Sequence, residues 1–333
     1  MHTSPSISIA LALFSGMLVG STLVPMKFVR RWAWENTWLV FAVCSYMLCP
    51  WIVAVFSVPR LGNVYAQAGF HVCATVGLLG MGWGIAVVLF GLAVDWAGLS
   101  ISTALLYGAS VALGSLGALC ILNRASLFTR TGAQIALCDA LVLIGVGFCA
   151  FAGKLREGQR TAELSRNRLG IIVALMAGVL STLFNLVLVY GDPIRLAAIS
   201  GGADPKYASN AIWSIGVSMG SLPSVLWCIH LLRRNCSWQQ YGGEGAGFNL
   251  ALCISMAALW ITGTVCYGMA AASMGRLGTV IGWPIYLAAV VLSGMAWGWG
   301  LGEWRNAPAH SLKLLTTGVA AQIIGIILLA RIS

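Results

Sequence analysis

The chain has 333 residues, of which 59% are hydrophobic and only 8% charged, with a mean hydropathy of +0.89 and a formal net charge of +10. A soluble domain carries roughly 25% charged residues, so water cannot be the solvent for most of this surface; lipid must be. The Lys and Arg residues sit in short stretches between apolar runs, the pattern of loops at an anionic membrane surface, which makes the lipid bilayer the partner and not nucleic acid.

About 20 apolar residues are needed to cross the hydrocarbon core, and ten runs qualify. Ile7–Val24 comes first. No Lys or Arg precedes it, while Lys27, Arg30 and Arg31 follow, so it lacks the positive leader of a signal peptide and reads as a retained helix. Trp38–Val58, Val72–Val94, Ile101–Leu122 and Ile135–Ala152 follow, the third and fourth parted only by Asp95–Ser100. Next comes the longest charged stretch, Lys154 to Arg168 (KLREGQRTAELSRNR). Beyond it lie Ile171–Tyr190, Ala211–Leu232, Leu250–Ala272, Thr279–Leu301 and Leu314–Ala330, with the eighth and ninth parted only by Ser273–Gly278. The two short separations predict tight helical hairpins.

The charged stretch divides the runs five and five, so we expect a first repeat at 1–152, a charged cytoplasmic linker at 153–168 and a second repeat at 169–333. A shift of 177 residues brings Trp83 onto Trp260 and Gly91 onto Gly268, and Ala12-Leu13-x-x-Gly16 matches Ala174-Leu175-x-x-Gly178. An odd number of spans in each half turns the second half over, which gives two inverted five-helix repeats, a plan of secondary transporters with the site at the repeat interface. Loops after odd-numbered helices hold 12 of the 19 Lys and Arg residues, so they are expected in the cytoplasm and both termini outside.

No GxxxxGK[ST], HExxH or CxxC pattern occurs, so the reading includes no enzyme, cofactor or metal. The ten Cys residues read as small packing hydrophobes. Among intramembrane acids, the default suspects for ion coupling, Asp139 in IALCDALVLIG is best placed and is the candidate for proton coupling; near one end of its helix, it could also be an interfacial carboxylate that reaches water. Asp95, Asp192 and Asp204 read as turn or cap residues, Glu35 and Glu303 as loop anchors against nearby arginines, and His71 and His230 as solvated interfacial side chains. A sugar offers apolar faces and hydroxyls, which flat aromatics and amide, hydroxyl or indole groups meet. The deep Trp83, Tyr107, Asn185, Trp260, Tyr267 and Trp283 are therefore the candidate substrate-binding residues, with helix packing as their alternative role.

Several stretches carry a resemblance: Pro25-Met26-Lys27-Phe28-Val29-Arg30-Arg31-Trp32-Ala33-Trp34-Glu35, Pro50-Trp51, Trp83-Gly84, Asp204-Pro205-x-Tyr207, Trp260 with Tyr267, and Glu303-Trp304-x-Asn306-Ala307. In these the chain resembles, end to end, the bacterial L-rhamnose–proton symporters of the drug/metabolite transporter superfamily. The resemblance implies an all-α inner-membrane protein of about ten helices, with helices 1, 3, 4, 6, 8 and 9 around a central cavity. It implies proton-coupled uptake of L-rhamnose or a related monosaccharide. Export of amino acids or other small metabolites, and a membrane sensor that binds sugar without moving it, are the alternatives.

Overall fold

The computed structural model describes residues 5–157 and 164–332. Among the described residues, ten helical spans are long and apolar enough to cross a membrane. They are α1 (Pro5–Ser21), α2 (Trp34–Ser57), α3 (Phe70–Ala97), α4 (Leu99–Asn123), α5 (Arg130–Glu157), α6 (in two pieces, Leu164–Ser181 and Leu183–Tyr190), α7 (Asn210–Arg234), α8 (Ala246–Ser273), α9 (Gly278–Gly300) and α10 (Ala309–Ala330). No strand occurs among the described residues. The expected linker is helical at both ends, since α5 runs to Glu157 and α6 begins at Leu164; residues 158–163 lie outside the described residues. Both expected hairpins are tight: Gly98, at φ 86°, turns α3 straight into α4, and a single 3-10 turn, Gly275–Leu277, joins α8 to α9.

With lipid tails as apolar as leucine, helices associate by close packing. Here α3 packs on α6 and α7, α1 on α8 and α9, α4 on α5, α6 and α9, α2 on α7 and α8, and α5 on α10. Gly80 and Gly84 let α3 meet α7 backbone to backbone, because a Cβ on either would overlap the carbonyl of Gly216 or Gly220. Large side chains turn outward to lipid, with Phe56, Phe70 and Phe128 each 88% exposed.

Prolines lie inside α2, α7 and α9, and in α2 and α9 another helix takes up the freed carbonyl. Proline has no N–H for the carbonyl four residues earlier. Pro50 follows a π-helical segment, Val43–Leu48, and the carbonyl of Tyr46 instead accepts from the Ser218 hydroxyl of α7 at 3.3 Å. Pro284 lies inside α9, and the carbonyl of Val280 accepts from the Ser115 hydroxyl of α4 at 2.8 Å.

The two ends of the bundle differ. At one, the short helices Leu61–Ala68 and Asp192–Ser200, which follow α2 and α6, pack on each other. At the other, the segments after α1, α7 and α9 gather. There the Asn249 side chain accepts from the Arg30 amide at 3.2 Å and donates to its carbonyl at 2.7 Å, and Asn36 Nδ2 donates to the Ser237 carbonyl at 3.0 Å.

Candidate functional site

One aromatic cluster fills the middle of the bundle. Trp83 of α3 and Trp260 of α8 stack with centroids 5.8 Å apart and planes at 24°. Tyr46 stands edge-on to both, at 5.2 and 4.6 Å. Phe184 of α6 touches Trp83 at 4.9 Å and stacks on Trp213 at 4.8 Å. Phe184 also reaches Trp283 at 6.0 Å, and there the cluster continues through Tyr267 and Tyr286, whose rings are 4.8 Å apart. The separations are those of rings in direct contact, so no sugar ring fits between them in this arrangement.

Polar atoms lock the cluster. Asn185, fully buried in α6, accepts from the Tyr267 hydroxyl at 2.6 Å and donates to the carbonyls of Gly114 (3.0 Å) and Thr279 (2.9 Å). One amide thus ties α6 to α4, α8 and α9. Trp283 Nε1 donates to the Ser110 carbonyl at 2.8 Å, over the bare Cα of Gly114.

A cavity of about 240 Å³ adjoins this cluster. Its walls come from α1, α3, α4, α5 and α9 and from Glu303 and Trp304 after α9. Against the expectation of helices 1, 3, 4, 6, 8 and 9, α5 lines this cavity and α6 and α8 do not. Of the six candidate binding residues only Tyr107 faces this space; Trp83, Asn185, Trp260, Tyr267 and Trp283 are buried in the cluster beside it. Tyr107 lies near both Tyr46 and Tyr286, so it stands where cavity and cluster meet.

The cavity opens at the end where α1, α5 and α9 finish. There Glu303 forms ion pairs with Lys27 and, at 2.8 Å, with Arg156, whose guanidinium lies 4.8 Å above the Trp304 ring. The contact with Lys27, and then that with Arg156, holds the Glu303 carboxyl below the usual carboxylate range against the upward push of desolvation.

Asp139 lies apart from both features. The interfacial reading of this residue does not hold: it is 1% exposed, and its two carboxyl oxygens have no hydrogen-bond partner among the described residues. Ser115 of α4 stands beside it, the same serine that holds the Val280 carbonyl left open by Pro284. Other acids behave locally. Asp192 pairs with Arg195 at 2.6 Å, and Asp204 caps a turn by accepting from the Lys206 amide at 2.9 Å. Glu35 anchors its loop through Asn235 and Ser237, at 2.9 and 2.8 Å, where an arginine was expected.

Sequence reasoning did not select Tyr46, Phe184 or Trp213. Pro50 was the available signal for Tyr46, because a proline four residues on frees that carbonyl and marks a local break in the helix. Nothing local distinguishes Phe184 from a lipid-facing phenylalanine; only the packing of α3, α7 and α9 around it does.

Ten apolar spans, an aromatic centre and a cavity open to one end define a multi-pass membrane transporter. The family described as L-rhamnose-proton symport protein (RhaT) matches residues 6–332, and the chain belongs to that family. Among curated relatives named L-rhamnose-proton symporter, that of Klebsiella pneumoniae is 29% identical over 323 residues, covering 91% of this chain and 92% of the relative. Those of Citrobacter koseri and Escherichia coli are 27% and 26% identical, covering 90% and 91% of this chain and 92% of each relative.

Proposed function

We propose that this protein imports L-rhamnose across a bacterial inner membrane together with a proton. Family membership over nearly the whole chain carries the reading, and the cavity agrees with it. At about 240 Å³ it falls below the ~300–1,000 Å³ typical of pockets for drug-sized ligands, a scale suited to one sugar ring.

The inverted-repeat plan, divided at 153–168, is part of this proposal. Exchanging each helix n of the first five with n+5 turns the packing partners into one another: α1 with α9 into α6 with α4, α3 with α6 into α8 with α1, and α2 with α8 into α7 with α3. Trp83 and Trp260, equivalent in the sequence alignment of the halves, meet by stacking. Gly16 packs against α9 as Gly178 packs against α4. The Lys/Arg bias of the odd-numbered loops supports an orientation with the cavity open to the cytoplasm and both termini outside.

Asp139 is the proposed proton carrier. Its carboxyl is buried beside Ser115 within a membrane span, the kind of intramembrane acid that carries protons in transporters. When ionised it competes for the Ser115 hydroxyl with the Val280 carbonyl, which lies at the proline break of the helix that carries Trp283 and Tyr286. Protonation is thereby linked to the packing of α9 against the cluster.

The test is uptake of labelled L-rhamnose into proteoliposomes containing only this protein, with and without an inward proton gradient. Accumulation that a protonophore collapses is the expected result. No uptake by folded, inserted protein overturns the assignment and turns the search to export of other metabolites.

A further inference from the structure

The two longest stretches that carry the family resemblance meet at the cavity mouth, through the Lys27–Glu303 ion pair. The interfacial loop-anchor reading of Glu303 accounts for that pair but leaves a neighbour unexplained. Trp304 is 5% exposed, lines the cavity, and its indole N–H has no hydrogen-bond partner among the described residues. A buried donor left without an acceptor is a place for one that a ligand supplies.

The space beside it is shaped by glycine. Gly294 and Gly298, one turn apart on α9, both line the cavity. A Cβ on Gly298 would stand 3.1 Å from Trp304 Nε1 and 3.2 Å from Glu303 Oε2, so an indole donor and a carboxylate acceptor turn toward the same bare patch of helix. At Gly294 a Cβ would meet nothing within 4 Å, so the opening continues along α9. Arg156 adds a guanidinium on the same wall, and Tyr107 and Thr103 add hydroxyls deeper in.

We infer that this mouth is a polyol-binding subsite, distinct from the aromatic cluster, in which Trp304 Nε1 donates to one sugar hydroxyl and Glu303 accepts from the same or the adjacent one. Arg156 donates to a neighbouring hydroxyl, and the apolar side chains of α1 and α9 cover the ring face. The subsite holds the sugar while Trp83 and Trp260 are still stacked, at the cytoplasmic step before release. The inference rests on the sugar-transport reading above.

Calorimetric titration of purified full-length protein with L-rhamnose tests it. Trp304→Phe keeps a ring for Arg156 to lie on and removes only the N–H. It weakens binding about ten-fold, the effect of one lost hydrogen bond of ~1.4 kcal/mol. Gly298→Ala fills the patch and weakens binding further. Monodeoxy analogues give the readout that a merely structural role would not move. One analogue that the wild type binds less well than L-rhamnose is bound as well as L-rhamnose by Trp304→Phe. If Gly298→Ala does not fold, Trp304→Phe decides alone. Wild-type affinity in a folded Trp304→Phe variant, with unchanged discrimination among analogues, overturns the subsite and leaves the transport reading standing. Wild-type protein that melts cooperatively yet binds no L-rhamnose overturns both.

Discussion

Asn185 and Asp139 show how differently two buried polar residues can be placed. Asn185 has three hydrogen bonds in the centre of the molecule, so it is a structural node with little capacity left for a ligand. Asn185→Ala strands the Tyr267 hydroxyl and removes the amide that ties the Gly114 and Thr279 carbonyls to α6. At about 1–3 kcal/mol for each buried group left unmade, it should lower the melting temperature in detergent clearly, whereas Trp299→Phe, at a site 58% exposed, should not. Asp139 has no hydrogen-bond partner among the described residues and only the Ser115 hydroxyl beside it, so it has little to lose. Asp139→Asn should therefore leave thermal stability near that of the wild type and abolish gradient-driven accumulation, while exchange of labelled for unlabelled sugar at equal pH persists. Accumulation by the variant equal to that of the wild type would move the proton site elsewhere.

At the scale of elements, the seam between α3 and α7 depends on the missing side chains of Gly80, Gly84, Gly216 and Gly220. A methyl on Gly80 or Gly84 has nowhere to go, because the atoms it would meet are the backbone of Gly216 and Gly220 and cannot rotate away. Overpacking typically costs about 1–3 kcal/mol, so Gly84→Ala should reduce the yield of monodisperse protein in size-exclusion chromatography. Gly91→Ala, on the same helix with nothing within 4 Å of a new Cβ, should not. The π-helical segment in α2 belongs to this scale too: it is part of how Tyr46 comes to face Trp83 and Trp260.

Across the whole molecule, the ion pairs of Glu303 tie the segments after α1 and α9 to the end of α5 at the mouth of the cavity. Because its folded pKa lies below its ordinary value, Glu303 stabilises the fold at neutral pH, and that contribution is lost as pH falls through the folded value, below the unfolded ~4.3. The side chain is 33% exposed, so screening limits the effect to about 1 kcal/mol or less. Glu303→Gln should melt slightly below the wild type at pH 7, and the gap should close at the acid end of the range in which the protein stays folded. Orientation is tested at the same scale: Cys236, exposed in the segment after α7, should react in intact cells with a membrane-permeant maleimide and not with an impermeant one.

The ten spans, their near boundaries and the two tight hairpins could be read directly from the chain, because in lipid each helix satisfies its own backbone and must be long and apolar whatever its neighbours do. The deep aromatics could be chosen by their depth for the same reason. Which of them face one another, and which face a void, is a property of interhelical packing. The bare Cα of Gly114 lets Trp283 lie over it, the three bonds of Asn185 consume its side chain, and α5 in place of α6 and α8 walls the cavity. Run lengths and periodicity carry no information about such distances between helices. They come from glycine contacts and hydrogen bonds between residues far apart in the chain, and only the tertiary structure brings Lys27, Arg156, Gly298, Glu303 and Trp304 to one opening.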